Sequence, residues 1–344
     1  MKALVLEDVK KCVVKEVPDP KIDDDGILVK VMANGVCRSD WHVWAGDIPI
    51  HHPIMGHELS GIVEEVGKNV KNFKKGDRVI VPFSGSEGTC PHCQAGNSHL
   101  CNTPLIPGAS YSGGYGEYIA VPKGDRNAIH LPEKISFTEA SALGCRFMTA
   151  FHGLVDRAKV QPGEWVAVYG CGGVGLSCIN VATAMGANVI GVDINDENLQ
   201  LAKLMGAIYT INSKKTDPIE AIKELTKGGV DVSVDALGIT QTCVSAINSL
   251  HKGGRHLQIG VTTKQEAGFI SIPVDYMVMN EIQFMTALGM PVHRFKDLLP
   301  LVEQGRLTPG KMVNRGISLS EVNSIFEGMS NFSIKGTFVV TKFE

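Results

Sequence analysis

Three closely spaced cysteines form the first stretch of the sequence that could do chemistry. The segment SGSEGTCPHCQAGNSHLC, residues 84–101, holds Cys90, Cys93 and Cys101 in a C-x2-C-x7-C spacing. Thiolates at such short separations are typical zinc ligands. A closed tetrahedral zinc site needs four ligands, and the spacing alone does not identify the fourth.

A second chemical motif is the glycine-rich stretch YGCGGVG at residues 169–175. It follows the strand-like run WVAVY and opens a helical run, which is the context that a dinucleotide-binding loop requires. In such a loop Gly170 permits a tight turn, Gly172 lets the backbone approach a pyrophosphate, and Gly175 lets helix and strand pack closely. The predicted cofactor loop comprises Gly170, Gly172, Gly173, Val174 and Gly175.

Asp193 is the carboxylate expected to accompany that loop. It ends the next predicted strand, 18 residues after Gly175. A carboxylate there accepts hydrogen bonds from ribose hydroxyls and repels a 2′-phosphate. No Lys or Arg follows within DINDEN, so NAD is favoured over NADP. The alternative is a packing loop with a capping aspartate.

Three more segments carry side chains suited to metal binding and proton transfer. They are GVCRSDWH at 35–42, GHELSGIVEEVG at 56–67 and LGCRFMTAFHG at 143–153. Their chemistry-bearing residues are Cys37, Ser39, Asp40, His42, His57, Glu58 and Cys145. Spacing cannot connect segments this far apart. Taken singly, Cys37 and Cys145 are better explained as buried thiols and His57 as a core histidine.

Two kinds of element must position these residues. Residues 1 to about 150 contain short β-branched runs separated by turn residues, which predicts an irregular, mostly antiparallel β domain. After Gly163, six strand-like runs alternate with helical ones, which predicts a doubly wound parallel sheet. The predicted strands are 165–169, 188–192, 208–212, 230–235, 255–260 and 282–288. The predicted helices are 174–186, 196–206, 217–228 and 240–253.

Composition narrows the function classes. The 344 residues are too many for one ordinary core, and the net charge of −3 argues against nucleic acid or an anionic membrane as the main partner. No apolar run reaches the length of a membrane span, and the N-terminal segment lacks the apolar core of a signal peptide. Nine cysteines in a chain of this size favour metal ligands and buried thiols in a reducing compartment. We therefore expect a cytoplasmic protein.

The set of motifs resembles the zinc-dependent medium-chain alcohol dehydrogenases. GHELSGIVEEVGKNV fits that family's G-H-E-x2-G-x5-G-x2-V signature at residues 56–70. The cysteine segment, the glycine loop and a C-terminal strand, GTFVV at 336–340, occur in the family's order. The resemblance covers essentially the whole chain.

The resemblance implies a catalytic zinc on Cys37, His57 and Cys145, with an open fourth position for the alcohol oxygen. Ser39 would contact the substrate oxygen, and His42 would pass its proton toward solvent. Asp40 and Glu58 would orient the metal site, and Arg38 and Thr149 would contact the cofactor. Ile48 and Phe83 would line the substrate pocket, for which Trp44 is a weaker candidate.

The resemblance also suggests the missing fourth ligand of the cysteine segment. The family's structural zinc site usually has a cysteine three residues before Cys90, and that residue is Glu87 here. A carboxylate oxygen is an accepted zinc ligand. We therefore expect a structural zinc on Glu87, Cys90, Cys93 and Cys101, and two zinc ions per subunit in total. A three-ligand or metal-free lobe is the alternative.

Fold and function follow from the same resemblance. A GroES-like catalytic domain would span 1–152 and 290–344, and a Rossmann NAD-binding domain 153–289. The enzyme would interconvert primary or secondary alcohols with aldehydes or ketones, as a homo-oligomer, with a tetramer favoured over a dimer. The alternatives are a polyol or other secondary-alcohol dehydrogenase, and a nucleotide-sensing protein without turnover.

Two residues depart from the family pattern. Arg146 follows the third zinc ligand, where a small residue is common, and its guanidinium should bond a cofactor or an acidic partner. Thr337 occupies a position where relatives often have an arginine for the pyrophosphate, and Lys335 could compensate.

Overall fold

The computed structural model describes residues 1–331 and 333–344, and the chain divides into two compact units. Unit 1 comprises Met1–Met148, Gly289–Gly305 and Val313–Glu344, and unit 2 comprises Thr149–Leu288 and Arg306–Met312. A short part of the C-terminal return, residues 306–312, therefore groups with unit 2 rather than with unit 1.

The elements are numbered in chain order. The strands are β1 Lys2–Asp8, β2 Lys11–Glu16, β3 Ile27–Gly35, β4 Leu59–Val66, β5 Arg78–Val81, β6 Gly85–Ser86, β7 Pro104–Leu105, β8 Tyr118–Val121, β9 Ile129–His130, β10 Trp165–Tyr169, β11 Asn188–Asp193, β12 Tyr209–Asn212, β13 Val230–Asp235, β14 Leu250–Gln258, β15 Gln283–Thr286, β16 Val313–Ser318 and β17 Thr337–Lys342. The helices are α1 Arg38–Ala45, α2 Pro91–Gln94, α3 Gly124–Asn127, α4 Phe137–Ser141, α5 Met148–Phe151, α6 Gly173–Ala184, α7 Asp196–Leu204, α8 Pro218–Thr226, α9 Thr240–Asn248, α10 Val274–Met279, α11 Phe295–Glu303 and α12 Val322–Ser330.

Unit 1 is built on a mostly antiparallel sheet, as predicted. Its strand order is β16-β17-β3-β4-β5-β9, and β8 also pairs with β3. The β16–β17 pair is parallel, and the other pairs are antiparallel. On β3, Ile27, Val29 and Val31 are buried while Lys30 is exposed. Because successive side chains of a strand point to opposite faces, this alternation turns one face of β3 into the core.

A second part of the unit 1 core lies where α1 packs against α12. Trp44 and Phe326 have ring centroids 5.6 Å apart, and Tyr115 contacts Phe326 edge-on. Trp44 is 2% exposed, and its Nε1 donates a hydrogen bond to Asn323. Trp44 therefore belongs to the core of unit 1.

Unit 2 is a doubly wound parallel sheet, as predicted. The strand order β12-β11-β10-β13-β14-β15 is that of a dinucleotide-binding fold, with the order reversing beside β10. All five strand pairs are parallel. The central strands are nearly continuous buried runs, which is the pattern of a sheet covered on both faces.

Most predicted elements of unit 2 differ from the structure by one or two residues at their ends, and the largest difference lies at the end of α9 and the start of β14. The helix predicted to extend to residue 253 ends at Asn248, and residues 250–253 begin β14 instead. The short α10, which precedes the edge strand β15, was not predicted. None of the helices in the described ranges is long and apolar enough to span a bilayer.

Candidate functional site

Unit 1 brings together four metal-ligating side chains that are far apart in the sequence. One ligand atom from each of Cys37, His57, Glu58 and Cys145 lies within 4.8 Å of the others, and Cys37, His57 and Glu58 are each buried. The predicted catalytic ligands Cys37, His57 and Cys145 thus meet at one point. Two thiols and one imidazole are the ligand set of a catalytic zinc with an open position.

Local backbone structure explains how these residues meet. Cys37 follows β3 and is the N-cap residue of α1, with an extended φ of −105°. His57 and Glu58 immediately precede β4, the antiparallel neighbour of β3. Cys145 lies in a π-helical segment, Leu143–Phe147, and such segments are frequent at functional sites.

Asp40 fixes the orientation of His57. Its Oδ1 lies 2.9 Å from His57 Nδ1, so Nε2 remains available to a metal. Asp40 is itself held by the Tyr115 hydroxyl, which donates to Oδ2 at 3.0 Å, and by the backbone N–H of Gly56. A carboxylate behind a ligating histidine is a common arrangement at zinc sites. Tyr115 was not predicted, because nothing in its local sequence connects it to α1.

The charges of the cluster favour a cation between the thiols. The pKa of Cys37 lies well below the ordinary thiol value, because Cys145 donates a hydrogen bond to its sulfur and His57 and Arg146 add positive charge, although burial acts in the opposite direction. The pKa of Cys145 is raised because it bonds to Cys37 and is buried. A metal ion bound by both sulfurs as thiolates would displace the remaining thiol proton.

Arg146 pairs with Glu58 inside the same cluster. The distance from Arg146 Nη2 to Glu58 Oε2 is 2.8 Å, and the two side chains are 4% and 0% exposed. Arg146 Nη2 also donates to the carbonyl of Val36. Of the two partners predicted for Arg146, a cofactor or an acidic residue, the structure therefore shows the acidic residue, Glu58.

Glu58 keeps unused bonding capacity despite this ion pair. Burial raises its pKa, and the charge of Arg146 opposes that effect. Among the described residues, Glu58 Oε1 has no hydrogen-bond partner. A buried carboxylate oxygen without a partner is costly unless a cation lies nearby. The donor set therefore fits zinc.

The remaining predicted residues of unit 1 surround α1 and the cluster. Ser39 Oγ is 3.8 Å from Cys37 Sγ, and the ring of Phe83 lies edge-on to His57 with centroids 6.1 Å apart. His42 lies on α1 with its Nδ1 bonded to a carboxylate. Ile48 follows α1 and is exposed.

The residues predicted to contact the cofactor outside the glycine loop have partners of their own. Arg38 Nη1 donates to the carbonyl of Met329 at 2.8 Å, and its guanidinium lies 3.6 Å from the ring centroid of Trp41. Thr149 is buried on α5 in unit 2. In unit 1, Thr337 is buried at the start of β17, whereas Lys335 is exposed.

The glycine loop of unit 2 has the predicted strand–turn–helix form. Gly170 has a φ of +89°, which a side chain would strain. A Cβ at Gly175 would come 1.7 Å from the Gly170 carbonyl oxygen, so only glycine permits this close packing. A Cβ at Gly172 would meet nothing within 4 Å, which leaves open space at the N-terminus of the twelve-residue α6. The first N–H groups of a helix lack intrahelical partners, so this opening fits a pyrophosphate.

Asp193 lies at the end of β11, beside that loop. Its Oδ2 accepts from Cys171 N at 2.7 Å, and its Oδ1 accepts from Asn195 N and Asn198 Nδ2. A carboxylate has about four acceptor positions. These three bonds fix its orientation and leave one position for a ribose hydroxyl, which fits the predicted cofactor.

The cysteine lobe brings its three thiols together. The Sγ atoms of Cys90 and Cys93 are 3.5 Å apart, and those of Cys90 and Cys101 are 3.9 Å apart. Disulfides require about 2.05 Å, whereas two thiolates on a tetrahedral zinc at about 2.3 Å lie about 3.8 Å apart. The pKa of Cys90 is lowered to about 6, because the backbone N–H groups of Asn102 and Cys93 donate to its sulfur. The three sulfurs therefore fit a zinc ion.

Glu87 does not join this cluster. The described cluster comprises the three cysteines, and Glu87 Oε2 lies 3.6 Å from Lys123 Nζ. The structure thus brings together three of the four ligands that the sequence predicts for this lobe.

Comparisons with known proteins agree with this geometry. Residues 23–133 match the alcohol dehydrogenase GroES-like domain, and residues 173–304 match the zinc-binding dehydrogenase family. The chain is 36% identical to an alcohol dehydrogenase of Geobacillus stearothermophilus and 33% identical to an NAD-dependent alcohol dehydrogenase of Sulfurisphaera tokodaii, with 99% of each chain covered in both cases. The solved structure of the alcohol dehydrogenase TADH from Thermus sp. ATN1 is similar with a TM-score of 0.92, 30% identity and 99% of both chains covered.

Proposed function

The chain belongs to the zinc-dependent medium-chain alcohol dehydrogenase family, and we propose that Cys37, His57 and Cys145 hold its catalytic zinc. It is an NAD-dependent zinc-type alcohol dehydrogenase that acts on alcohols and aldehydes. The main support for this site is that the ligand atoms of the two thiols and the oriented imidazole lie within 4.8 Å of one another. Zinc, when bound there, supplies Lewis acidity toward an alcohol or carbonyl oxygen.

The side chains around this site have distinct proposed tasks. Asp40 holds His57 in the tautomer that presents Nε2, and the Asp40–His57 distance of 2.9 Å supports this task. Ser39 contacts the substrate hydroxyl, and His42 accepts its proton and passes it to solvent. An imidazole suits that transfer because its pKa lies near neutrality. Oxidation of the alcohol carbon by hydride loss to NAD+ then completes the reaction, and the reverse direction reduces an aldehyde or ketone.

We assign Glu58 and Arg146 together to the charge balance of the zinc site. Two thiolates neutralise the charge of a divalent ion, and the Glu58 carboxylate adds one negative charge beside it. The Arg146 guanidinium, 2.8 Å from that carboxylate, offsets it. Arg146 thereby opposes the effect of burial, which raises the pKa of the fully buried Glu58 carboxyl.

We propose that the loop comprising Gly170, Gly172, Gly173, Val174 and Gly175 binds the NAD pyrophosphate and that Asp193 binds the adenosine ribose. The open space at Gly172 and the unused acceptor position of Asp193 support these roles. The negative charge of Asp193 also disfavours a 2′-phosphate. Arg38 and Thr149 are proposed as further cofactor contacts, and Phe83 and Ile48 as apolar substrate contacts.

A second, structural zinc is proposed for the cysteine lobe. Cys90, Cys93 and Cys101 would supply three thiolates, and Glu87 would supply the fourth ligand by turning away from Lys123. Sulfur separations of 3.5 and 3.9 Å support the thiolate part of this site. Fully loaded protein would then contain two zinc ions per subunit.

Zinc analysis of lobe variants tests this second site. Glu87→Ala should lose the lobe ion preferentially, and Glu87→Cys should retain it because four thiolates suit zinc. Lys123→Ala is the matched control, because it removes the present partner of Glu87 and leaves all four ligands. Wild-type protein that takes up a single zinc, together with an unchanged melting temperature in Glu87→Ala, would show that the lobe holds no metal.

We further propose a cytoplasmic homo-oligomer, with a tetramer favoured. The edge strand β15 and the preceding α10 region expose large apolar side chains, including Phe269, Val278 and Met279. Exposed apolar clusters of this kind are typical of protein interfaces. Within residues 1–331 and 333–344 the cysteines form no disulfide, which is typical of a reducing compartment. Sedimentation measurements would determine the oligomeric state.

Turnover with a panel of alcohols tests the catalytic proposal. NADH formation is followed by absorbance with linear, branched, aromatic and polyhydric alcohols, each with NAD and with NADP. Simple alcohols with NAD should give the highest kcat/KM. Preference for polyols would instead favour the polyol dehydrogenase alternative, and absence of turnover with NADH still bound would favour a nucleotide sensor.

A further inference from the structure

Asp47 contacts the ring of the proposed proton carrier. The distance between Asp47 Oδ2 and His42 Nδ1 is 2.8 Å, and the two side chains are only 18% and 13% exposed. Partial withdrawal from water strengthens such a charge-assisted hydrogen bond. Asp47 is not among the predicted site residues, although it lies only five residues after His42.

The backbone holds Asp47 over the turn that carries His42. The α1 helix ends at Gly46, whose N–H donates to the carbonyls of His42 and Val43. The N–H groups of Asp47 and Ile48 also donate to the His42 carbonyl, at 2.9 and 3.2 Å. The two partners are therefore fixed within one closed helix end and do not depend on a flexible loop.

This helix end requires glycine at position 46. Gly46 has a φ of +81°, in the left-handed region, and a Cβ there would lie 3.1 Å from Val9 Cγ2. Both the backbone strain and the contact disfavour a side chain. The sequence H-x3-G-D is thus enough to bring the carboxylate back to the histidine.

We propose that Asp47 is a positioning residue for proton transfer by His42, an inference that rests on the proposed function of His42. An ionised carboxylate only accepts hydrogen bonds, so Nδ1 of the neutral ring carries the hydrogen and Nε2 carries the lone pair. Nε2 then accepts one proton from the substrate hydroxyl side, and Asp47 offsets the charge of the resulting imidazolium. Release of that proton from Nε2 to solvent restores the neutral ring.

Other charged groups surround α1. In the part of the chain that the structure describes, Asp47 lies against the His42 ring, and its negative charge also raises the pKa of Arg38, which burial lowers. Asp40 faces inward to His57, and Arg38 lies over Trp41. The turn between β1 and β2 is linked to α1 by a hydrogen bond that the backbone N–H of Lys10 donates to the carbonyl of Trp44. The titratable groups on α1 and its neighbouring segments are Arg38, Asp40, Asp8, Lys10, Lys11, His51, His52 and Glu327.

A double-mutant cycle with pH-dependent kinetics tests the proposal on the zinc-loaded enzyme. Asp47→Ala should reduce kcat for alcohol oxidation roughly 10-fold at pH 7, and the loss should shrink at high pH, where hydroxide accepts the proton. In a His42→Ala background the same substitution should have no further effect, because Asp47 acts through His42. Asp231→Ala is the matched control, since it removes another carboxylate 2.9 Å from a histidine ring and should leave the pH profile unchanged.

Histidine ring nitrogen-15 NMR gives a readout that activity does not. The His42 signal, identified by its loss in His42→Ala, should show a protonated Nδ1 in the wild type. In Asp47→Ala the ring should move toward the other tautomer or a mixture of both. Zinc content and NADH binding should stay at wild-type values in both variants.

The outcomes separate the two proposals. If His42→Ala keeps the wild-type pH profile, His42 is not the proton carrier and both proposals are wrong. If His42→Ala slows turnover at neutral pH while Asp47→Ala does not, only the proposal for Asp47 is wrong. The same holds if Asp47→Ala lowers kcat by the same factor in the wild-type and His42→Ala backgrounds. An Nε2–H tautomer in the wild type would also contradict it.

Discussion

Replacement of Arg146 by methionine should strongly destabilise unit 1. Arg146 and Glu58 form an ion pair at 2.8 Å with 4% and 0% of their side chains exposed. Methionine keeps much of the volume of arginine but removes its charge and its hydrogen bond to the Val36 carbonyl. The Glu58 carboxylate would then remain buried without the partner that offsets its charge.

The expected loss follows from the burial of the pair. Breaking one partner of a buried ion pair costs about 3–5 kcal/mol of unfolding free energy, because the other charge is left uncompensated. The matched control is Arg315→Met, since Arg315 pairs with Glu321 at 2.7 Å in the same unit, with 51% and 39% of the side chains exposed. Exposed pairs contribute at most about 1 kcal/mol. The losses of unfolding free energy caused by the two substitutions should therefore differ by about 2–5 kcal/mol.

Tryptophan fluorescence can isolate the unfolding of unit 1. Two of the three tryptophans, Trp41 and Trp44, belong to unit 1, and Trp165 belongs to unit 2. A Trp165→Phe background therefore restricts the signal to unit 1. Urea unfolding is followed with zinc at the same saturating concentration throughout, because ligand binding shifts apparent stability by mass action.

A second substitution separates charge from packing. Glu58→Gln in the Arg146→Met background removes the stranded charge and should restore part of the lost stability, whatever its effect on turnover. Two results would show that the ion pair does not stabilise unit 1 as proposed. In one, Arg146→Met lowers the free energy of unfolding no more than Arg315→Met; in the other, Glu58→Gln lowers it further in the Arg146→Met background.

Three further predictions concern the cofactor loop and the zinc environment. Asp193→Gly should narrow the kcat/KM preference for NAD over NADP, because it removes the charge that repels a 2′-phosphate; a wild type that prefers NADP would contradict this. Gly175→Ala should abolish NADH binding in a fluorescence titration, because its Cβ would lie 1.7 Å from the Gly170 carbonyl oxygen; retained binding would contradict the close packing. Tyr115→Phe should weaken zinc retention against a chelator by roughly 10-fold, because Asp40 loses a hydrogen bond at 3.0 Å; unchanged retention would contradict this support.

The unit 2 fold was predictable because its sequence signals are local. Each strand is a short apolar run followed by a helical period, and the glycine spacing identifies the loop after β10. The error at residues 250–253 has a physical cause. LHKG continues a helical pattern, but Leu250 pairs with Val230 of β13, and the register then shifts before the next pair, Val232 with Arg255. Tertiary pairing overrides local preference there.

The metal cluster of unit 1 could be predicted only through family resemblance. Cys37, His57 and Cys145 each have a common structural explanation when taken alone, and sequence spacing carries no information about their meeting. The partner of Arg146 was equally hidden, because Glu58 lies just before β4 and is far from Arg146 in the sequence. Asp47 is the exception, since its contact with His42 arises within one helix end and is in principle readable from H-x3-G-D.

Zinc content measured beside NADH production in Cys145→Ser and Cys101→Ser tests the central claim most directly. Cys145→Ser should lose one zinc per chain and nearly all turnover while still binding NADH. Cys101→Ser, which alters the lobe cluster, should lose the other zinc and stability but retain turnover in the protein that stays folded. Cys145→Ser protein with full zinc content and wild-type turnover would contradict the assignment of Cys37, His57 and Cys145 as the catalytic zinc site.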